Sequence, residues 1–214
     1  MTKTGLPPDW LARLRRALPA VPNHDPALWR VSNRVLATMP AAQAVMPATP
    51  LAAAVLVPII DRPGSPSLLL TRRAGHLRHY AGQISFPGGR VETGDASVLA
   101  AALRETREEI GVEARFIEPL GYLPDHVVIS GFRISPVVAL LSSEFALQID
   151  YSEVAEVFEI PLGFLCDAAN FQPTVRVLHG VEFALNDLTY DGRVVWGATS
   201  GMLQALRAVL MQEP

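Results

Sequence analysis

Glu105, Glu108 and Glu109 are the residues of this 214-residue chain whose types and spacing suggest chemistry. At roughly 100° per residue they share about a third of a helix circumference. Leu99, Leu103 and Ile110, with Thr106 among them, point to another side, giving one apolar stripe and one acidic face. Glu105 and Glu109 stand four apart, and like charges at that spacing cost a helix about 0.2–0.5 kcal/mol. Arg104 and Arg107 offset part of this, so the acids alone are also compatible with a solvated, ion-paired helix. The preceding Pro87-Gly88-Gly89 shifts the balance. Two adjacent glycines let backbone approach a ligand closely and expose N–H and carbonyl groups. Carboxylates, a carbonyl and water suit a hard divalent cation shared with phosphate oxygens. The chemistry indicated is a metal–diphosphate site.

The stretch Phe86 to Val112 resembles a Nudix box, whose pattern is G-x5-E-x7-R-E-U-x-E-E-x-G-U, with U a bulky apolar residue. Arg104, Glu105, Glu108, Glu109, Gly111 and Val112 match directly. Counting from Gly89, the first acidic position is Asp95 rather than Glu, and eight residues, not seven, separate it from Arg104. Thr106 takes the first apolar position. The Asp and the extra residue both resemble the coenzyme A pyrophosphatase branch of that family. The branch also carries an upstream signature, LLTxR[SA]x3Rx3Gx3FPGG. Leu69-Leu70-Thr71-Arg72-Arg73-Ala74, then Arg78, Gly82 and Phe86-Pro87-Gly88-Gly89, match every fixed position. Tyr80 stands where branch members often carry His, with His79 beside it. Two contiguous signatures of this length are far more specific than a lone glycine motif.

The totals exclude other classes. Eighteen basic against 21 acidic residues give no support to nucleic-acid binding by bulk electrostatics. A single cysteine, Cys166, beside Phe164 and Leu165, reads as core, allows no internal disulfide and suits a reducing, cytoplasmic setting. Val35 to Ile60 carries no charge and has the length of a membrane span, but Pro40, Pro47, Pro50 and Pro58 break it. No membrane association is expected. The basic, amphipathic run Asp9–Leu18 reads as a short helix stopped by Pro19, lying on the domain rather than acting as a signal peptide.

These elements must position the acids. The pattern predicts an N-terminal helix and Ala/Pro-rich linker over 1–50, and a catalytic domain over 51–214 opening with a buried strand, Ala52 to Ile60. A second strand spans Ser67 to Arg72, and a His/Arg-rich loop, Ala74–Gln83, leads to a short strand near Ile84–Phe86. The acidic helix would be capped by Asp95 and end at Gly111. Further strands are expected at Ala114–Tyr122, at Ile134–Leu141 with pairing from Val137 because of Pro136, and at Val154–Glu159. Two hairpins follow, around His179-Gly180 and Asp191-Gly192, then an amphipathic helix over Ser200–Met211. Mixed strands with helices suit an α/β sandwich. The resemblance implies the same Nudix-type α/β/α sandwich with a mixed sheet, and it covers about Ala53 to Leu210, including Val195–Gly201.

By resemblance, Glu105, Glu108 and Glu109, with the Gly88 carbonyl, would ligate Mg²⁺ or Mn²⁺, and Arg104 would orient the glutamates. Glu108, Glu109 and the later Glu153 are all candidates for the general base. Arg72, Arg73, Arg78 and His79 would supply cationic contacts to a phosphorylated nucleotide. Gly89, Ser130 and Phe132 are further substrate contacts. The activity implied is hydrolysis of the diphosphate of coenzyme A, or of its thioesters, to phosphopantetheine and adenosine 3′,5′-bisphosphate. A homodimer is a family-level expectation. The rivals are the same chemistry on ADP-ribose or a dinucleotide, and a Nudix-fold ligand sensor without turnover.

Overall fold

A computed structural model describes residues 5–26, 49–178 and 181–212. Within them, β1 (Leu51–Ile60), β2 (Ser67–Arg73), β3 (Ile84–Ser85) and β4 (Gly88–Arg90) precede the acidic helix α2 (Val98–Ile110). Then come β5 (Ile117–Tyr122), β6 (His126–Val127), β7 (Phe132–Leu141), β8 (Val154–Pro161) and the single turn α3 (Leu162–Leu165). The helix α1 (Trp10–Ala17) comes first; β9 (Phe171–Leu178), β10 (Val181–Tyr190), β11 (Arg193–Val195) and α4 (Gly197–Met211) come last.

The main sheet runs β3-β2-β1-β7-β5, with β4 on β1, β6 on β7 and β8 on β2. It is mixed: β1 and β7 run parallel over their whole length, and the other pairs are antiparallel. β1 is apolar throughout because both of its faces are covered. Val55, Val57 and Ile59 enter one core with Leu14, Leu203 and Leu206 of α1 and α4. Ala54, Leu56 and Ile60 enter the other, with Ala101, Ala102 and Ile110 of α2. The period-two alternation of a strand thus divides one hydrophobic run between two layers. The architecture is the expected α/β/α sandwich. A smaller sheet, β11-β10-β9, follows it and leads into α4.

Several local expectations need correcting. α2 is capped by Ser97, whose hydroxyl accepts from the Ala100 N–H at 3.1 Å, rather than by Asp95. Gly111 ends it at φ +75°. The buried face of α2 comprises Ala101, Ala102, Thr106, Glu109 and Ile110, while Leu99 and Leu103 are only half-buried. Ala114–Phe116 forms a 3₁₀ turn, and the strand starts at Ile117. β7 pairs from Phe132, Pro136 included, because its outer partner changes there. β5 pairs as far as Val137 and β6 as far as Ile134, so the missing proline N–H falls in the gap. α4 begins at Gly197, ahead of Ser200.

The Asp191-Gly192 turn has both residues at positive φ, as its hairpin requires. Cys166 is fully buried, and burial pushes its thiol pKa up. Most of the Ala/Pro-rich linker and the His179-Gly180 turn lie outside the described residues. Among those described, no helix is long and apolar enough to cross a membrane.

Candidate active site

Two glycines set the relation between β4 and α2. Gly88 sits opposite Val55 of β1, and a Cβ there would lie 2.3 Å from the Ala54 carbonyl oxygen. Its N–H donates to Oε2 of Glu109 at 3.2 Å. A Cβ on Gly89 would stand 2.5 Å from the Glu105 carboxylate. A side chain at Gly88 would collide with β1 backbone, and one at Gly89 would push the Glu105 carboxylate aside, so the β4 backbone and the acidic helix face meet without a spacer.

The three glutamates occupy very different surroundings. Glu108 is exposed, Glu105 half-buried, and Glu109 only 3% exposed. The acidic face and the apolar face therefore overlap, which a helical wheel does not show. Burial pushes the Glu109 pKa up to about 8, against the pull of the Gly88 N–H and Arg73. Burial also raises Glu105, opposed by Arg104 and assisted by Glu108 and Glu153. Both helix acids respond to Glu153, which places that residue's carboxylate in the same electrostatic cluster. Glu153 itself is exposed at the entry to β8, anchored through its backbone carbonyl by the Ala74 N–H at 2.8 Å.

Arg104 holds the cluster in register. Its Nε and Nη2 donate to the two oxygens of Asp95, both at 3.0 Å, and Nη2 also donates to the Arg90 carbonyl at 3.1 Å. Nη1 donates to Glu105 and Glu108 at 2.9 Å each. The guanidinium in turn lowers the Asp95 pKa through its hydrogen bonds. The departure at Asp95 is thereby explained: its shorter side chain serves as the fork that receives Arg104, while helix capping passes to Ser97. Thr106, at an apolar position of the box, is fully buried, and its hydroxyl donates to the Ala102 carbonyl at 2.7 Å.

The donor set fits a hard divalent cation. It consists of carboxylate oxygens beside exposed backbone, and the buried Glu109 would shed its proton more readily beside a positive ion. Among the described residues, however, three acidic groups do not converge on one point. Arg104 draws Glu105 and Glu108 to itself, so ligation would require carboxylate rotation.

Beside the glycine pair opens a cavity of about 720 Å³. Arg73, His79, Gly88 and Gly89 line it, as do Ser130 and Phe132. Two expected substrate contacts stand elsewhere. Arg72 donates through Nε to Glu156 at 2.9 Å, and Arg78 is exposed and does not line the cavity. Arg73 and Arg72 are adjacent on a strand and so face opposite ways. Arg73 Nη1 lies 3.8 Å from Glu109 Oε1, and its buried Nε has no hydrogen-bond partner. Tyr80 lines the cavity at φ +59°, a left-handed conformation unusual for a bulky residue.

Sequence reasoning missed other lining residues: Arg90 on β4, and Leu185, Trp196 and Met202 from the C-terminal part. Only the motif around Val195–Gly201 pointed in that direction. Trp196 is braced by Arg176, whose guanidinium carbon lies over the ring at 4.5 Å from its centroid and which pairs with the buried Asp187.

The profile of the NUDIX domain matches residues 50–167. The chain is 38% identical over 162 residues to an uncharacterized Nudix hydrolase, NudL, of Salmonella paratyphi B, covering 76% of this chain and 84% of that protein. Among solved structures, a MutT/nudix family protein from Enterococcus faecalis aligns with a TM-score of 0.49 and 20% identity, covering 81% of this chain and 69% of the other. A C. elegans Ap4A hydrolase binary complex aligns with a TM-score of 0.45 and 21% identity, covering 51% and 80%.

Proposed function

The chain belongs to the Nudix hydrolase family, and we propose that it hydrolyses the diphosphate bond of coenzyme A or its thioesters, giving phosphopantetheine and adenosine 3′,5′-bisphosphate. One observation carries the substrate assignment. Residues of both signatures, Arg73 from the upstream one and the shared Gly88-Gly89, line a single cavity beside the box glutamates. The upstream signature is the part that resembles the coenzyme A branch specifically.

Glu105, Glu108, Glu109 and the Gly88 carbonyl would hold Mg²⁺ or Mn²⁺. When bound, such a cation neutralises charge on the diphosphate oxygens and acidifies water. The protein's own residues do the rest. Arg104, with all five N–H donors engaged, fixes the glutamates and touches no substrate. Arg73, with donors to spare, binds a phosphate oxygen. Glu153 makes no side-chain hydrogen bond or ion pair among the described residues and shares the field of Glu105 and Glu109. We assign it the proton from the attacking water, in preference to Glu108, tied to Arg104, and to the buried Glu109, whose carboxylate would be taken up by the cation.

The test is a hydrolysis panel with purified protein and Mg²⁺ or Mn²⁺, comparing coenzyme A, acetyl-coenzyme A, ADP-ribose, NADH and diadenosine polyphosphates, with products identified by mass. Release of adenosine 3′,5′-bisphosphate, preferred over every other cleavage, is the expected result. Preference for ADP-ribose or a dinucleotide sinks the substrate assignment but keeps the hydrolase. Metal-dependent binding without turnover favours a sensor. Glu153→Gln should lower kcat about 10²–10⁴-fold.

A further inference from the structure

The charged groups of the cavity share one origin. Arg73, His79 and Arg90 all come from the β2–β4 segment that carries the glycine pair, which also contributes Tyr80, Ile84 and Phe86. Apart from Ser130 and Thr199, the later elements contribute apolar surface: Val128, Phe132 and Ile134 around β7, and Leu185, Trp196 and Met202 from β10, the β11–α4 junction and α4. The Thr199 hydroxyl is already spent on the Ile84 carbonyl at 3.1 Å. The last three apolar residues lie beyond position 167, where the family match ends.

Val128, Phe132, Ile134, Leu185 and Trp196 are only partly buried, so the wall keeps some apolar surface exposed. Apolar surface inside a concavity marks a ligand site. A nucleobase would need convergent hydrogen-bonding groups against its edge, and this wall offers few of them. An aliphatic chain needs none. The wall is also rigid: Arg176 braces the Trp196 ring, Asp187 holds Arg176, and Met202 is 2% exposed.

We infer that the C-terminal elements β10 and α4, with Trp196 between them, form an acyl-binding wall, and that the preferred substrates are coenzyme A thioesters carrying an aliphatic acyl group of several carbons rather than free coenzyme A. This rests on the coenzyme A reading above. The diphosphate lies at the arginine and glycine side, and the acylated pantetheine arm lies against Leu185, Trp196 and Met202. Leu185, Trp196 and Met202 set specificity and take no part in bond cleavage.

The experiment compares kcat/KM for free, acetyl-, butyryl- and octanoyl-coenzyme A, in the parent protein, in Leu185→Gln, in Trp196→Leu and in the control Val175→Gln, whose side chain is 67% exposed on β9 outside the cavity. The octanoyl ester should exceed free coenzyme A by at least about tenfold, since each buried methylene favours binding severalfold. Leu185→Gln and Trp196→Leu should each reduce that ratio at least about threefold, and Val175→Gln should leave it unchanged. Melting curves screen the variants for folding, and the parent's chain-length series decides the matter if both cavity variants unfold. Turnover of free coenzyme A at or above the octanoyl rate overturns the acyl wall and leaves the coenzyme A reading standing. Turnover of no coenzyme A compound, with ADP-ribose or a dinucleotide cleaved, overturns both.

Discussion

Two arginines approach the box glutamates, Arg104 at Glu105 and Glu108 and Arg73 at Glu109, and they are held in opposite ways. Arg104 spends all five of its N–H donors, on Asp95 twice, the Arg90 carbonyl, Glu105 and Glu108. Arg73 has a buried Nε without a partner, and its nearest carboxylate oxygen is 3.8 Å away on Glu109. A saturated guanidinium is a fixture. An unsaturated one beside a cavity leaves hydrogen bonds that a ligand must complete, because buried polar groups are rarely left unpaired. Arg104 is thus committed to positioning the acids, while Arg73 keeps donors open toward the cavity.

The hardest way to break it is through the acid between the two regions. Glu109→Gln should lower kcat at least about a hundredfold, measured at saturating Mg²⁺. The same variant tests the burial. A carboxyl whose folded pKa is raised from 4.5 to about 8 binds its proton more tightly in the folded state. Its stabilisation is fully present below about pH 4.5 and is lost as pH rises through 8. In EDTA the parent should therefore lose on the order of 5 kcal/mol across that window, Glu109→Gln should lose far less, and added Mg²⁺ should restore the parent. Equal pH slopes of Tm for both proteins would contradict the buried acid.

Arg104→Ala comes next. Metal affinity and turnover should fall together, about 10–100-fold, as expected when a residue that orients ligands is removed. Arg104→Lys should rescue little, since an ammonium cannot fork onto Asp95 and still reach Glu105 and Glu108. Arg73→Ala should act differently, raising KM for the diphosphate about tenfold with a smaller change in kcat, read from full saturation curves. If Arg73→Ala lowered metal affinity and Arg104→Ala raised only KM, the roles would be reversed. The smallest effect is expected at Arg72→Ala. Glu156 keeps its pair with Arg193, so kcat/KM should stay within about twofold, with at most about 1 kcal/mol lost in denaturant titration.

Much of this was readable in the chain. The box acids, the glycine pair, the end of α2 at Gly111 and the two apolar faces of β1 follow from spacing and periodicity. The distinction between Arg72 and Arg73 was also present, since neighbours on a strand face opposite ways, but it needed the strand to continue one residue further than Arg72. The burial of Glu109 was not legible. A helical wheel gives direction around an axis, not how closely β4 approaches it, and that closeness depends on the missing side chains of Gly88 and Gly89. The cap at Ser97 was hidden because Asp95 is as good a capping residue, and only the demand of Arg104 takes it away. Leu185, Trp196 and Met202 reach the cavity through tertiary packing that no local spacing encodes.

The packing of α1 bears on how the protein assembles. Leu14 and Leu18 share a core with Leu203, Leu206 and Leu210, and Arg13 donates to the Leu210 carbonyl at 2.9 Å, 197 residues away. During synthesis the first helix can meet β5, where the Tyr122 N–H donates to the Pro19 carbonyl, but it lacks its partner helix until α4 has left the ribosome. The layer under α2 can gather from residues 51–160, but the opposite layer closes only when the two distant segments meet. Contacts of such sequence separation slow folding, and the nascent chain carries the exposed apolar side of its sheet until α4 has emerged.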